Sequence, residues 1–414
     1  MTDDLRINGE RLWRSLTEMA KIGATPKGGV CRLALSDVDK TGRDLFKSWC
    51  EAAGCTIIVD QMGNMFVRRP GREASRPPIG MGSHLDSQPT GGKFDGVYGV
   101  LAALEVVRTL NDHAVETQAP IEVVVWTNEE GARFAPAMVG SGVFAGVFEL
   151  DYAWGQKDRD GISISEALDR IGYKGDALPG DHQFGAFFEV HIEQGPILET
   201  EGKTIGIVKG VQGMRWYDVA LIGEEAHAGP TPMERRRDSL AGATQLLPKI
   251  YQLALDRQPF GRATIAQFRT YPPGSRNTVP SRAEFSVDLR HPDADQLAEM
   301  DAGLRAITAQ VATDRGLEHS ITHVWEAAPV SFNPACVDAV RNGAEIMGYP
   351  AMEIVSGAGH DSVYISGVAP TGMIFVPCER GISHNETESA TPEDIAAGAN
   401  VLLQAVLQHA QRTS

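Results

Sequence analysis

The 414-residue sequence has few of the features that indicate secreted, membrane or nucleic-acid-binding proteins. Its five cysteines are scattered and odd in number, so we expect reduced thiols, no disulfide framework and a cytoplasmic location. No apolar run approaches the roughly 20 residues of a membrane span, and residues 1–23 lack a signal-peptide core. Lysine and arginine number 38 against 54 acidic residues, a net charge of -16. We therefore expect neither a nucleic-acid nor a membrane partner.

The length exceeds what one compact core usually holds, and the pattern of strands and helices changes near residue 213. Before that point, continuous apolar runs such as Val123 to Trp126 are typical of strands buried on both faces of a sheet. From Trp216 to Trp325 the predicted order is strand, helix, strand, strand, helix, strand, which is ferredoxin-like. We predict a discontinuous α/β domain, residues 1–212 and 330–414, interrupted by an α+β domain, residues 213–329.

The most informative stretch is a glycine-rich loop, residues 82–96, between a predicted strand and a predicted helix. It contains His84, Asp86 and Asp95. In α/β sheets, ligands bind in loops at the carboxyl ends of strands. Histidine together with carboxylates suits zinc or manganese. Taken alone, the loop is equally compatible with solvated turn residues.

Two further predicted strands end in potential metal ligands, and a third has one shortly after it. Glu129 and Glu130 follow the run that ends at Trp126, where buried acids would need a positive partner unless both face water. His191 ends another apolar run, and His384 follows a third. Two metal ions close together need a shared bridging group and separate ligands on each side. The candidate set is His84, Asp95, Glu130, His191 and His384.

Eight short motifs follow one another along nearly the whole chain. They are Gly82–Ser87, Gly91–Gly96, Asn128–Phe134, His191–Gly195, Ala226–Gly229, Asp288–Arg290, Ser356–Ser362 and Ile382–Asn385. Together they resemble the hydantoinase/carbamoylase group of dinuclear metal amidohydrolases. That group includes N-carbamoyl-L-amino-acid hydrolases, β-ureidopropionases and allantoate amidohydrolases. The resemblance implies an α/β/α metallopeptidase-like catalytic domain with an inserted ferredoxin-like lid and dimerisation domain.

The resemblance also implies two divalent metal ions per subunit. These ions would be zinc, or alternatively manganese, cobalt or nickel. His84 and His191 would bind one ion, and Glu130 and His384 would bind the other. Asp95 would bridge the two ions. All five expected ligands are present in this sequence.

The resemblance assigns catalytic roles to three more residues. Glu129 would be the general base, because a metal-bound carboxylate such as Glu130 cannot readily accept a proton. Asp86 would orient His84, as carboxylates do for metal-bound imidazoles. His227 would donate to the developing oxyanion, although on composition it is a surface histidine.

Five residues besides His227 would contact substrate. Arg290 would hold the substrate carboxylate through its two-pronged guanidinium, although it could also form a surface ion pair. Asn277 would bind substrate or merely make a turn. Gln194 and Gly359 would be further contacts, and His360 would lie near the site without an assigned role.

The implied function is hydrolysis of the ureido C–N bond of N-carbamoyl amino acids to the amino acid, carbon dioxide and ammonia. The expected partners are a small ureido substrate with a carboxylate and, through the inserted domain, a second copy of the chain in a homodimer. One alternative keeps the metal site but changes the substrate, to allantoate, ureidoglycolate, or the amide or peptide of an M20-type aminoacylase or peptidase. The other is a binding protein without catalysis, which would have lost ligands or the base.

Overall fold

The structure, a computed structural model, describes residues 4–411 and divides the chain into two compact units. The first unit comprises the chain up to Lys209 and the chain from Ser331 onward. The second unit is Gly210–Val330. The sequence predicted these boundaries at residues 213 and 329, and the lid and dimerisation roles of the insert remain predictions.

Helices and strands follow one another along the whole of the described chain. The part before the insert contains α1 (Gly9–Met19), α2 (Asp37–Ala52), β1 (Thr56–Val59), β2 (Met65–Arg69), β3 (Ile79–His84), α3 (Val97–Asp112), β4 (Ile121–Trp126), α4 (Val139–Phe144), α5 (Leu150–Gly155), α6 (Ile164–Ile171), β5 (Ala186–Ile192), α7 (Ile197–Thr200) and β6 (Ile205–Val211). The insert contains β7 (Gly213–Ile222), β8 (Ala226–His227), α8 (Ser239–Leu255), β9 (Arg262–Tyr271), β10 (Thr278–Val279), β11 (Arg282–His291), α9 (Ala294–Arg315) and β12 (Glu318–Ala327). There follow β13 (Val330–Ser331), α10 (Pro334–Met347), β14 (Ala351–Ser356), α11 (Asp361–Ile365), β15 (Thr371–Val376) and α12 (Pro392–Ala410). Two short 3-10 helices cover Met233–Arg235 and Glu379–Gly381.

The first unit is built on one mixed sheet in the order β1-β2-β4-β3-β5-β15-β6-β13, with β14 also paired to β6. Its central strands β4, β3, β5 and β15 are parallel neighbours and are buried along their whole length. Strands that are buried on both faces need continuous apolar runs, which is why the sequence pattern identified them.

Helices cover both faces of this sheet. On β5, Val190 lies against Gly398 of α12, whereas Phe187 packs in an apolar cluster with Phe144 of α4 and Ile365 of α11. Val190 and Phe187 are an odd number of residues apart, so their side chains point to opposite faces of the strand. The sheet therefore lies between two layers of helices, and the predicted α/β/α catalytic domain is confirmed.

The second unit has an antiparallel sheet in the order β12-β7-β11-β9. Helices α8 and α9 bury one face of this sheet, where Leu246 and Leu304 pack with Val219 and Phe285. The chain order is strand, helix, strand, strand, helix, strand once the short β8–β10 pair is set aside. This is the predicted ferredoxin-like arrangement. Across residues 4–411, no helix is long and apolar enough to cross a membrane.

Local hydrogen bonds set the starts of the first two helices. The first helix begins at Gly9, because the Asn8 side chain accepts a hydrogen bond from the Arg11 N–H at 3.0 Å and caps it. Ser36 caps α2 in the same way. The Asp39 carboxylate accepts from the backbone N–H directly before Ser36 at 2.8 Å.

A buried ion pair joins α2 to the turns beside the sheet. Arg43 and Asp39 are both fully buried, with Nε and Oδ2 2.9 Å apart. The Arg43 guanidinium also donates to the Gly63 carbonyl at 2.7 Å and to the Thr127 hydroxyl at 3.2 Å. Thr127 directly follows β4, so this pair supports the start of the turn that carries Glu129.

Asp39→Ala should lower the free energy of unfolding by about 3–5 kcal/mol, because it leaves the Arg43 charge buried without its partner. Urea denaturation followed by circular dichroism measures this change. Lys40→Ala, on the same helix, removes an exposed ion pair with Asp44 and should cost at most about 1 kcal/mol. Equal losses in the two variants would contradict the role of the buried pair.

Candidate metal centre

Three parallel strands of the first unit deliver polar side chains to one edge of the sheet. His84 is the last residue of β3, and His191 lies one residue before the end of β5. Glu129 and Glu130 lie just beyond the end of β4. Because β3 pairs in parallel with both β4 and β5, these carboxyl ends share an edge, where α/β folds bind ligands.

Two imidazoles face one oxygen of Asp95. Asp95 Oδ1 lies 3.1 Å from His191 Nε2 and 3.7 Å from His84 Nε2, and all three residues are buried. Gly96 makes this approach possible: it has φ +66°, and a Cβ there would lie 2.3 Å from the His84 ring. The three potential ligand atoms lie within 4.8 Å of one another, which is compact enough to surround one cation.

A second group faces the other oxygen of Asp95. Asp95 Oδ2 lies 3.4 Å from His384 Nε2, which is also 3.4 Å from Glu130 Oε2. His384 has φ +52° in the short loop after β15, and its side chain is 53% exposed. Asp95 therefore belongs to both groups, with one oxygen toward each, which is the position that a bridging ligand requires.

Backbone carbonyls orient the two buried imidazoles. His84 Nδ1 lies 2.9 Å from the Asp86 carbonyl, and His191 Nδ1 lies 2.8 Å from the Ile192 carbonyl. A carbonyl can only accept, so each Nδ1 carries a proton, and each Nε2 is the nitrogen that faces Asp95. The expectation that the Asp86 carboxylate orients His84 needs correction, because the Asp86 main chain makes the hydrogen bond and its Oδ1 is 3.9 Å from Nδ1.

The Asp86 carboxylate instead holds the turn that carries the two glutamates. It accepts from the N–H of Glu129 at 3.3 Å and from that of Glu130 at 3.2 Å. This turn needs unusual backbone angles, with φ +58° at Asn128 and +66° at Gly131. Asp86 thus links the loop after β3 to the loop after β4.

Glu129 lies beside the first group of potential ligands, but it belongs to neither of the two groups. Its Oε2 is 3.4 Å from His84 Nε2, and the residue is 8% exposed. Glu130, in contrast, has its carboxylate within the second group. Of the two neighbouring acids, one is thus a potential ligand and the other lies outside both groups.

The chain matches Peptidase family M20/M25/M40 over residues 80–408. An N-carbamoyl-L-amino-acid amidohydrolase from Rhizobium meliloti is 49% identical to it, across 99% of this chain and 98% of that protein. The crystal structure of a hydantoinase/carbamoylase family amidase from Burkholderia multivorans is 60% identical, with a TM-score of 0.96 over 99% of this chain and 100% of that one. The chain belongs to the hydantoinase/carbamoylase family. Allantoate amidohydrolase from Bacillus subtilis is a more distant relative, 32% identical over 93% of each chain.

Membership of the hydantoinase/carbamoylase family confirms the resemblance in the motifs and places the chain among the amidohydrolases of the M20 superfamily. M20 enzymes are metal-dependent. Imidazole nitrogens and carboxylate oxygens, the donors of both groups, are the ligands that divalent zinc, manganese, cobalt and nickel accept. The residues that surround Asp95 therefore fit the metal requirement of the family.

The electrostatics of this carbamoylase-family site also favour a cation. Burial above all raises the pKa of Glu129 and of Glu130 well above the usual range, and raises that of Asp86 to about 7. Asp95 differs: burial alone would raise its pKa, but the hydrogen bond and charge of His191 hold it well below its usual range. Several buried acids without enough positive partners are costly, and a divalent ion supplies the missing charge.

The two buried imidazoles respond in opposite directions. Burial lowers the pKa of His84 to about 4, so this ring is neutral and has a free lone pair. Burial also opposes protonation of His191, but the hydrogen bond and charge of Asp95 raise its pKa to about 9. A metal ion competes with this proton, because the ligand forms are neutral imidazole and ionised carboxylate.

Three residues predicted to bind substrate lie close to the centre or to its supporting loop. Gln194 Nε2 donates to Asp95 Oδ2 at 2.9 Å, and its buried Oε1 has no hydrogen-bond partner among the described residues. The His360 ring lies 4.7 Å from the His191 ring, and its Nε2 lies 3.0 Å from the Ser356 hydroxyl. Gly359 adjoins His360, so these positions are compatible with substrate contacts, which remain predictions.

The other predicted substrate residues lie in the second unit. His227 on β8 lies opposite Thr278 on β10 in a short antiparallel pair. The Asn277 carbonyl accepts a hydrogen bond from the Ala228 N–H at 2.8 Å. His227 and Asn277 are therefore neighbours. Arg290 forms a two-point ion pair with Asp288, with Nη2 and Oδ2 2.7 Å apart. Their roles toward substrate remain predictions.

The sequence did not single out three residues that support the carbamoylase-family ligands. Gln88 donates to both carboxylate oxygens of Glu130, at 3.1 Å through its N–H and at 2.7 Å through Nε2. Glu189 forms a further buried group with His191 and His360. Glu388 accepts from the Asp95 N–H at 3.1 Å. Gln88 and Glu388 lie close in sequence to predicted ligands. Their spacing from those ligands, however, does not distinguish them from nearby polar residues that face water.

Asp95→Ala should remove most bound metal together with activity, because one side chain serves both groups. Metal content after dialysis, measured by plasma mass spectrometry, tests this. Asp112→Ala removes the same charge at an exposed position paired with Arg11 and should retain metal. Full metal occupancy in Asp95→Ala would contradict the shared position.

Proposed function

We propose that this chain hydrolyses the ureido C–N bond of N-carbamoyl-L-amino acids, yielding the amino acid, carbon dioxide and ammonia. A β-ureidopropionase, acting on N-carbamoyl-β-alanine, performs the same reaction on a longer backbone. The observation that carries the proposal is the full-length similarity to the Rhizobium meliloti amidohydrolase. The two groups around Asp95, with Glu129 beside them, are compatible with the chemistry that such a hydrolysis needs.

We propose two divalent metal ions as cofactors. They are zinc, or alternatively manganese, cobalt or nickel. His84 and His191 would hold one ion, Glu130 and His384 the other, and Asp95 both. When bound, such ions lower the pKa of water and act as Lewis acids toward a carbonyl oxygen.

Glu129 is the proposed general base and then general acid. Its carboxylate accepts a proton from the water that attacks the ureido carbonyl and delivers it to the leaving nitrogen. The carbamate that forms breaks down to carbon dioxide and ammonia. The place of Glu129 outside both ligand groups leaves its carboxylate available for proton transfer.

Arg290 is the proposed partner of the substrate carboxylate. Its guanidinium already makes a two-point contact with the Asp288 carboxylate, which is the geometry that a substrate carboxylate would use. His227 is proposed to stabilise the oxyanion, since a donor placed where negative charge develops lowers the barrier. The remaining proposed substrate contacts are Gln194, Asn277, Gly359 and His360.

A ureide with more than one carbamoyl group is the second candidate substrate. The Bacillus subtilis relative is an allantoate amidohydrolase and matches this chain over almost its full length. Ureidoglycolate, which has a single carbamoyl group, is a related ureide. Aminoacylase or peptidase activity would use the same centre on an amide that lacks a ureido nitrogen.

A substrate panel with ammonia detection and amino-acid analysis tests the proposal. The panel contains N-carbamoyl-L-amino acids, N-carbamoyl-β-alanine, allantoate, ureidoglycolate, an N-acetyl amino acid and a dipeptide. We expect the highest kcat/KM on an N-carbamoyl amino acid. Preferential cleavage of allantoate or of the dipeptide would contradict it.

Glu129→Gln should keep both metal ions and lower kcat by about 10²–10⁴-fold, because an amide cannot shuttle a proton. Steady-state kinetics together with metal analysis measure both properties. The adjacent substitution Glu130→Gln should instead weaken metal binding, since Glu130 belongs to the second group. Turnover at the original rate in Glu129→Gln would rule out its role as the base.

Arg290→Ala should lower kcat/KM by about one to two orders of magnitude, because a charge-assisted hydrogen bond is worth about 1.5–3 kcal/mol. Metal content should be unchanged, and Arg290→Lys should recover only part of the loss. Arg282→Ala, on the same strand, is the matched control, since Arg282 also pairs with an acid two residues away, Glu284. A substrate analogue with a neutral amide should be poor for the unmodified enzyme and little affected by Arg290→Ala. Equal effects on acid and amide would show that Arg290 is structural.

We also propose that the second unit is a lid and forms a homodimer. Within residues 4–411, its outer strands β9 and β12 each pair with a single neighbour, so each leaves one edge of backbone groups able to join another strand. Phe268 on β9 and Val324 on β12 are exposed large apolar residues on these strands. Light scattering at micromolar concentration should give the mass of two chains, and a monomer would contradict the proposal.

The five free thiols suit the expected cytoplasmic location.

A further inference from the structure

Glu388 is a buried glutamate on the loop that follows His384, and it is 1% exposed. We propose that Glu388 is a positioning residue that holds the Asp95 loop against the His384 loop and thereby sets the affinity of the second group for a divalent ion. The inference rests on the proposed metal centre and does not depend on which ureido compound is the substrate.

One oxygen of Glu388 fixes the backbone at Asp95. Oε1 accepts from the Phe94 N–H at 3.0 Å and from the Asp95 N–H at 3.1 Å. Both donors belong to buried residues, and a buried N–H group left without an acceptor is costly. The position of the Asp95 main chain therefore depends on a side chain from a distant part of the sequence.

The other oxygen of Glu388 reaches the Asp95 carboxylate through a hydroxyl group. Ser383 Oγ lies 3.0 Å from Glu388 Oε2 and 3.1 Å from Asp95 Oδ2. A hydroxyl has one proton, so it donates to one of these carboxylates at a time. Asp95 Oδ2 also accepts from Gln194 Nε2 at 2.9 Å, which supports the same oxygen while Ser383 serves Glu388.

The Asp95 loop has no room for a side chain where Glu388 enters it. A Cβ on Gly92 would lie 2.0 Å from both Cδ and Oε1 of Glu388. Gly92 does not have a positive φ in this structure, so the close approach of the carboxylate is the reason that glycine is required at this position. Gly92 of the motif is thus matched to Glu388.

The consequence should be larger for one group than for the other. His84 and His191 are held by strands β3 and β5, which are buried along their length. His384 belongs to the same short loop as Ser383 and Glu388, where the Glu388 N–H donates to the Asn385 carbonyl at 3.0 Å. Loss of the Glu388 carboxylate should therefore separate His384 from Asp95 and leave the first group less affected.

The test is a titration of metal-free protein with Zn²⁺ in competition with a chromophoric chelator. Residues that orient metal ligands typically contribute about 10–100-fold to metal affinity. We expect Glu388→Ala to lower the affinity for one of the two bound Zn²⁺ ions by this factor. Glu388→Gln should stay close to the unmodified protein, because its amide oxygen can accept from both N–H groups and its NH2 can donate to Ser383.

Hydrogen exchange on the metal-free protein supplies an independent readout. The amides of Phe94 and Asp95 should exchange faster in Glu388→Ala and keep their protection in Glu388→Gln. Glu105→Ala is the matched control: Glu105 is equally buried and accepts from the Asn8 N–H, but it pairs with Arg11. Its loss should lower stability without changing the affinity for Zn²⁺.

Three outcomes would overturn the inference. Unchanged Zn²⁺ affinity in Glu388→Ala would show that the loops hold their positions without the carboxylate. An equal loss in Glu388→Gln or in Glu105→Ala would show that charge or general stability, and not the hydrogen bonds to the Asp95 loop, is responsible. If the unmodified chain binds no divalent ion, the proposed metal centre fails as well, which separates that failure from the first two.

Discussion

The site depends on the Asp95 carboxylate, whose two oxygens face two separate groups of potential metal ligands. Oδ1 is directed at His84 and His191, and Oδ2 at His384, which also faces Glu130. These residues come from four segments that are distant in sequence. A carboxylate in this position repels its acidic neighbours unless positive charge lies between them, so the arrangement is consistent with a metal-dependent family.

The parallel sheet explains why so many distant residues meet. Strands β4, β3, β5 and β15 run side by side in one direction, so the segments that follow them emerge at one edge. Backbone groups then set the directions of the side chains. Carbonyls orient the imidazoles of His84 and His191, and the N–H groups of Glu129 and Glu130 hold Asp86. Buried strands thus place the potential ligands, and hydrogen bonds in the loops orient their side chains.

Two adjacent glutamates have different surroundings, and this difference separates their proposed chemistry. Glu130 receives two hydrogen bonds from Gln88 and faces His384, so its carboxylate is fixed within a ligand group. Glu129 lies next to His84 in a buried environment that raises its pKa, outside both groups. A turn with positive φ at Asn128 and Gly131 directs the two side chains apart. The backbone of this one turn therefore accounts for the different surroundings of Glu129 and Glu130.

The family, the two-part α/β fold and the residues that surround Asp95 could all be predicted from the amino-acid order alone. Buried parallel strands require continuous apolar runs, and His84, Glu130 and His191 stand directly at or after such runs. The contacts that each residue makes could be known only from the folded chain. Asp86 was expected to orient His84 through its carboxylate, yet its main chain does so, since a sequence does not show which polar atom of a residue faces a neighbour. Glu388 could not be identified either: the N–H groups that it accepts from, at Phe94 and Asp95, lie 294 and 293 residues away, and such pairings exist only once the chain has folded.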